Sequence, residues 1–193
     1  MSGSPSGIQQ VALRLFTEHG YENTSMREIS EHLGLTKAAL YYHFDSKEAI
    51  VQSLFEERLG TLEKLAERAE EQPYSAARCA EIATGWFGLT VDDDLRFVRF
   101  TIANQAALRD LMPSRDGARD LFERLSSLMA GPDASPAERL KVRMAMMSVN
   151  LAAMSSVGLD LTNAEILAAA AETADLILPG FSAAVTGRAS VRS

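Results

Sequence analysis

The chain has 193 residues, 47% of them hydrophobic, which suits one large globular domain or two small ones. No apolar run reaches about 18 residues, which argues against a membrane span, and the first residues lack the basic start and apolar run of a signal peptide. The net charge of −7 argues against binding nucleic acid through bulk positive charge. With Cys79 as the only cysteine, no disulfide can form within the chain, and we predict a reducing, cytoplasmic location.

Helical periodicity dominates the sequence, and no alternating pattern typical of strands stands out. We therefore predict an all-α protein with about nine helices. In chain order they cover residues 8–19, 25–33, 37–43, 47–72, 75–90, 94–110, 115–130, 136–157 and 163–178. Capping boxes mark three of the starts, with Ser25 and Glu28, Ser135 and Glu138, and Thr162 and Glu165 three residues apart.

Residues 25–43 read as a helix, a tight turn at Gly34-Leu35 and a second helix capped by Thr36. This is the arrangement of a helix-turn-helix, whose second helix can enter the major groove of DNA. Leu33, Leu35 and Leu40 are expected to pack the two helices together. Lys37 can reach guanine acceptors or a phosphate, and tyrosine hydroxyls suit phosphate oxygens.

The charge balance of this part of the chain is an objection to DNA binding. Residues 1–50 carry four cations and six anions, so the predicted helix-turn-helix region is not basic on average. Contact with DNA must then depend on where the cations lie. They cluster at predicted helix starts, where backbone amides already favour an anion.

Residues 12–50 closely resemble the N-terminal DNA-binding domain of the tetracycline-repressor-like (TetR) family, above all in the segment L-Y-Y-H-F-D-S-K-E. The resemblance implies three DNA-binding helices, a connecting helix, a helical ligand-binding domain, and dimerisation through the last two long helices. Carried over by position, the DNA-contacting residues are Thr24, Ser25, Arg27, Thr36, Lys37, Ala38, Tyr41, Tyr42, His43 and Lys47. Relatives often carry arginine or lysine before the first helix, whereas this chain has Ser6-Gly7-Ile8-Gln9-Gln10, which puts an N-terminal arm contact in doubt.

The predicted domain organisation follows from these elements. We expect a flexible leader over residues 1–7, a DNA-binding domain over 8–46, a helical ligand-binding and dimerisation domain over 47–180, and a flexible tail over 181–193. Residues 47–72 form the connecting helix of this scheme.

The helix predicted from Pro136 is apolar on nearly all sides, which predicts two packing partners. One partner is the core of its own domain and the other a second subunit, although an ordinary core is the alternative. A dimer with twofold symmetry would read a pseudo-palindromic operator.

A ligand pocket is the feature that the sequence predicts least clearly. Polar or deformable residues among apolar neighbours suggest a fairly apolar ligand, although each is individually more typical of a core. The candidates are Trp86, Phe87, Phe100, Asn104, Met112, Phe122, Met147, Asn150 and Met154.

These patterns together predict a cytoplasmic, DNA-binding repressor that an unknown small molecule releases from its operator. Two rivals are a regulator that activates or answers to a protein partner, and a structural helical dimer that binds no DNA. We expect no enzyme activity, since no catalytic motif occurs, and no cofactor. His19, His32 and His43 lack the spacing of metal ligands, and a lone thiol such as Cys79 is usually inert.

Overall fold

The computed structural model describes residues 3–91, 95–111 and 115–181. Within these ranges the chain forms ten α-helices and no strand. They are α1 (Pro5–Glu18), α2 (Met26–Leu33), α3 (Lys37–His43), α4 (Lys47–Glu70), α5 (Ala76–Val91), α6 (Arg96–Ala103), α7 (Gln105–Leu108), α8 (Arg115–Ala130), α9 (Pro136–Ser155) and α10 (Asn163–Ile177). The predicted all-α fold is confirmed. No helix of the described ranges is long and apolar enough to cross a membrane.

The first helix starts earlier than predicted. Ser4 caps α1 by accepting a hydrogen bond from the Gly7 amide, and Pro5 occupies the first turn, where its missing N–H costs nothing. Pro5–Gly7 are therefore helical, and the prediction of a flexible leader over residues 1–7 is wrong for them. Met1 and Ser2 lie outside the described residues.

The segment predicted as one helix over residues 94–110 forms two helices, α6 and α7. Asn104 separates them, because its side-chain amide donates to the Phe100 carbonyl at 2.9 Å and its backbone leaves helical geometry. An asparagine side chain competes in this way with the hydrogen bonds of a helix. This break accounts for the tenth helix.

The chain divides into two compact units. Unit 1 comprises residues 1–59 and 96–114, and unit 2 comprises residues 60–95 and 115–193, so the division falls inside α4. The expected domain boundary at residues 46 and 47 stays a prediction.

The core of unit 1 is built around aromatic rings of α1 and α6. Phe16 stacks on Phe100 with ring centroids 5.5 Å apart, and Tyr21 meets Phe16 edge to face at 5.2 Å. Ile29 and Leu40 bring α2 and α3 onto this core and are fully buried. This packing fixes the orientation of α3, and with it the face that α3 presents outward.

In unit 2, α9 packs closely against α10, and small side chains of the two helices, such as Ala145, Ala170 and Ala174, are fully buried. Both helices begin with the predicted capping boxes, in which Ser135 pairs with Glu138 and Thr162 pairs with Glu165. These two predictions are confirmed.

The end of α10 leads into a residue predicted to belong to the tail. Phe181 is buried, and its ring lies 5.4 Å from that of Phe87. The predicted tail therefore does not begin at residue 181, while residues 182–193 lie outside the described part of the chain.

Candidate nucleic-acid interface

The turn between α2 and α3 depends on a glycine. Gly34 ends α2 with a left-handed φ of 66°, a conformation that other residues adopt at a cost. The Leu35 amide then donates to the Ser30 carbonyl at 2.9 Å, which closes the turn. Thr36 starts α3 by accepting a hydrogen bond from the Ala39 amide at 3.1 Å. The predicted helix-turn-helix is present.

One side of α3 is buried and the other faces outward. Leu40 is fully buried, whereas Lys37, Ala38 and Tyr41 are exposed and Tyr42 is 86% exposed. Aromatic side chains of this size are usually shielded from water, so two exposed tyrosines on one short helix indicate a surface that binds a partner.

The other predicted DNA-contacting residues differ in accessibility. Ser25 and Arg27 are exposed at the start of α2, and Thr36 is exposed at the start of α3. His43 is half-buried, with its ring 5.2 Å from that of Tyr42. The structure thus brings these residues to the same two helix starts and to α3.

Thr24 is a correction to the sequence-based set. Its side chain is only 1% exposed, and its hydroxyl donates to the carbonyls of Gly20 at 2.9 Å and Leu15 at 3.3 Å. Both bonds lie inside unit 1, so the Thr24 hydroxyl fastens the loop before α2 to α1 and is shielded from solvent.

Lys47 is half-buried and tied to Tyr21. Its ammonium donates to the Tyr21 carbonyl at 2.9 Å and lies 4.2 Å from the centre of the Tyr21 ring. The Tyr21 hydroxyl in turn donates to Glu48 at 3.0 Å. Burial, together with the nearby Glu48 carboxylate, raises the pKa of Tyr21 well above its usual value. Lys47 therefore has only part of its hydrogen-bonding capacity left for DNA.

The acidic residues around the interface are largely engaged with neighbours. Glu31 accepts from Arg27 at 2.8 Å, and Glu28 lies 2.6 Å from the His19 ring nitrogen. Ser25 caps α2, but Glu28 turns to His19, and no reciprocal bond to Ser25 completes the predicted capping box among the described residues. Lys37 makes no ion pair with any described residue, so its positive charge stays available for an anionic partner.

Comparison with known proteins bears on this surface directly. The family model described as "Bacterial regulatory proteins, tetR family" matches residues 8–54, which span α1 to α3 and the start of α4. Residues 8–54 therefore form a domain of the TetR family.

Curated relatives agree with the TetR assignment over parts of the chain. The A-factor receptor protein of Streptomyces griseus is 43% identical over 56 residues, which are 29% of this chain and 20% of that protein. The tetracycline repressor protein class A from transposon 1721 of Escherichia coli is 33% identical over 116 residues, or 60% of this chain and 43% of that protein. The matched segments span less than half of either relative.

The TetR fold extends over the described helices. The TetR-family transcriptional regulator PfmR from Thermus thermophilus superimposes with a TM-score of 0.60 over 89% of this chain and 96% of that chain, at 23% identity. At this identity the likeness concerns the fold alone.

None of the described residues predicted to line a ligand pocket borders either of the two cavities reported below. Phe100 belongs to the core of unit 1, and Phe87 packs against Phe181. Trp86 donates to the Met146 carbonyl at 2.8 Å and lies against Phe122, with ring centroids 5.4 Å apart. These contacts are those of a packed core.

The remaining pocket candidates lie on α9, between α6 and α7, or outside the described residues. Met147 and Met154 are exposed on α9, where Asn150 is half-buried, and Asn104 breaks the helix between α6 and α7. Met112 lies outside the described residues.

Two cavities of unit 2 are lined by other residues. The larger, about 890 Å³, is bordered by Cys79, Met129, Val142, Ile177 and Phe181 among others, and we call it the C-terminal cavity. The second, about 530 Å³, is bordered by Arg78, Arg124 and Arg139 and is called the arginine cavity. Sequence reasoning missed both, because their residues come from helices far apart in the chain.

Cys79 borders the C-terminal cavity and donates to the Met129 carbonyl at 3.2 Å. No group of three or more His, Cys, Asp or Glu side chains within the described ranges could hold a metal ion.

Proposed function

We propose that this chain is a sequence-specific DNA-binding repressor that reads its operator with the exposed face of α3. The observation that carries the proposal is that Lys37, Tyr41 and Tyr42 share that face, with the Lys37 charge unpaired among the described residues. Lys37 and the tyrosine hydroxyls contact phosphates or base edges, and the methyl group of Ala38 lets the helix approach the groove closely.

The protein is proposed to act as a homodimer through α9 and α10. Five apolar residues of α9 alternate at spacings of four and three, which places them on one side of the helix. They are Leu140, Met144, Met147, Leu151 and Met154, each between 44% and 59% exposed, and we call them the α9 stripe. A second copy seated on this stripe would give two α3 helices for the two halves of a palindromic operator.

A small, fairly apolar ligand is proposed to release the repressor from DNA. The C-terminal cavity is large enough for such a molecule, and its border includes Met129, Val142 and Phe181. Two relatives are named tetracycline repressor protein and A-factor receptor protein, and these names support both repression and a response to a ligand. The family is one of transcriptional regulators, so we propose no catalytic activity, and a cytoplasmic location stays a prediction.

The proposal is tested by selecting binding fragments from the genome that encodes the protein, using the purified full chain. We expect one or a few palindromic sites to be enriched, with affinity that falls steeply as the salt concentration rises. Repeated failure to enrich any site, with protein shown to be folded and free of bound small molecules, would favour the structural helical dimer instead.

A further inference from the structure

The arginine cavity concentrates positive charge in a protein whose net charge is −7. Its border includes the side chains of Arg78, Arg124 and Arg139 and one carboxylate, that of Glu70. Pro73, Tyr74, Leu128 and Pro132 supply apolar surface beside them. The cavity therefore combines guanidinium groups with an apolar wall.

Arg78 is the most unusual of these side chains, because it is only 7% exposed. Its two terminal nitrogens donate to the Gln72 carbonyl at 3.0 Å and the Leu128 carbonyl at 2.6 Å. Its Nε is buried without a hydrogen-bond partner among the described residues, and none of their carboxylates forms an ion pair with it. The guanidinium also lies over the Tyr74 ring, 5.2 Å from the ring centre. An arginine is rarely buried without an anion, and the positive charge of Arg78 is not neutralised by any described carboxylate.

The carbonyls of Gln72 and Leu128 hold the Arg78 guanidinium in place, but they leave its Nε–H without a hydrogen-bond acceptor. Gln72 lies two residues beyond the end of α4, and Leu128 lies in the last turn of α8, where the partial negative charge of a helix C-terminus favours a cation. Both carbonyls are neutral groups, and neither reaches Nε. They keep the guanidinium in a fixed position at the border of the cavity.

The other two arginines lie on α8 and α9. Arg124 makes two hydrogen bonds with Glu70, at 2.6 and 2.5 Å, and these bonds lower the pKa of that carboxyl. Arg139 is exposed and donates from Nε to the Ala134 carbonyl at 3.2 Å. Glu70 neutralises one of the three cations, which leaves an excess of two positive charges at the cavity border.

We propose that the arginine cavity binds a small organic oxyanion, a carboxylate or phosphate monoester carried on an apolar body. Guanidinium groups bind such oxyanions through paired, charge-assisted hydrogen bonds. The apolar body lies against Tyr74, Leu128 and Pro132. Tyr74 and Pro132 also border the C-terminal cavity, so the two cavities adjoin.

This inference goes beyond the proposed function, because it adds a second ligand site beside the C-terminal cavity, and only its use as a regulatory site rests on that function. Binding is measured on the full chain without DNA. A failure to bind operator would therefore leave the site intact, and a failure to bind the anion would leave the DNA interface intact.

The test is isothermal titration calorimetry with three probes that share a chain of eight carbons. Octanoate and octyl phosphate carry the two anionic head groups, and octanamide is the neutral counterpart of octanoate. We expect both anions to bind and octanamide to bind at least about tenfold more weakly, since it lacks charge-assisted hydrogen bonds. The tighter of the two anions identifies the head group.

Variants locate the site. Arg139→Gln and Arg124→Gln are each expected to weaken octanoate binding about tenfold, since each removes a cation from the cavity border. Arg119→Gln is the matched control, because Arg119 also lies on α8 and pairs with a glutamate, Glu123, but does not border the cavity. Arg78 itself is left unchanged because it ties two helix ends together, and its Nε–H signal is followed by nuclear magnetic resonance instead.

The proposal predicts that octanoate shifts the Arg78 Nε–H resonance, and that the shift weakens in Arg139→Gln but not in Arg119→Gln. Equal affinities for octanoate and octanamide would overturn it. So would octanoate binding that neither Arg124→Gln nor Arg139→Gln reduces.

Discussion

Thr24 and Lys37 are both predicted from the sequence to contact DNA, but in the structure Thr24 is buried and Lys37 is exposed. A threonine before a helix-turn-helix can cap, contact a phosphate or hold a loop, and the sequence does not distinguish these roles. The structure assigns the third role, with two internal hydrogen bonds from a buried hydroxyl. Lys37 was predictable, because a lysine side chain is rarely buried, and the structure leaves it exposed in the first turn of α3.

Tyr21 and Glu48 provide a test of how the interface is held in place. Although partial burial alone would raise the pKa of Glu48, hydrogen bonds from its own backbone amide, from Ser46 and from Tyr21 lower it overall. A carboxyl with a lowered pKa in the folded state stabilises the fold above its unfolded pKa of about 4.3, and this contribution is lost as the pH falls through the folded value.

Tyr21→Phe removes one of these hydrogen bonds while it keeps the ring beneath Lys47. We expect the variant to be less stable at pH 7 by up to about 1 kcal/mol, which corresponds to a few degrees in Tm for a chain of this size. Thermal unfolding followed by circular dichroism at pH 7 and pH 3 measures the difference, which should shrink at pH 3. In a Glu48→Gln background, the stability loss caused by Tyr21→Phe should not depend on pH. If Tyr21→Phe destabilised the parent chain equally at pH 7 and pH 3, the proposed effect of the Tyr21 hydrogen bond on the pKa of Glu48 would be contradicted.

At the scale of elements, helix starts set by neighbouring residues could be predicted from the sequence, whereas features that depend on tertiary packing could not. The capping boxes at Ser135 and Thr162 were predictable because both partners lie within one turn of the chain. The break at Asn104 was not, since an asparagine in an apolar helical pattern can face a pocket, a neighbour or its own backbone. Ser4 and Pro5 do carry a readable helix start, a serine cap followed by proline, although the residues around them are typical of a flexible leader.

The α9 stripe carries the proposed dimer and can be tested on its own. Met147→Glu with Leu151→Glu places two charges in the middle of the stripe, where burial against a second copy would be costly. We expect the parent chain to be a dimer at micromolar concentration by light scattering and the double variant to be a monomer.

The control for this experiment places one glutamate at an exposed helical position of unit 1. Ala106→Glu on α7 should leave the dimer intact. A double variant that remains dimeric would place the interface elsewhere than on the α9 stripe.

At the scale of the whole molecule, the net charge is a misleading guide to the partner. An acidic protein can still bind DNA when its anions are engaged and its cations lie at helix starts. Glu28, Glu31 and Glu48 each contact a neighbour, while the Lys37 charge is unpaired among the described residues. The positions of these charges along the chain were known from the sequence, but their pairing depends on the packed helices.

The C-terminal cavity and the arginine cavity could likewise not be predicted from the sequence, because they depend on how the helices pack. Arg78, Arg124 and Arg139 lie on three different helices, and only the packing of α5, α8 and α9 brings them to one cavity border. The sequence-based candidates were chosen for residue type, and several of them pack as ordinary core residues.

The most direct test of the central claim is the salt dependence of operator affinity for the parent chain and Lys37→Ala. In a dimer that places one Lys37 on a phosphate in each half-site, the variant should bind more weakly, and its slope of log affinity against log salt should be smaller by about two. Lys64→Ala removes the same charge from an exposed position on α4 and should leave the slope unchanged. A Lys37→Ala slope equal to that of the parent chain would contradict the proposed docking of α3 on DNA.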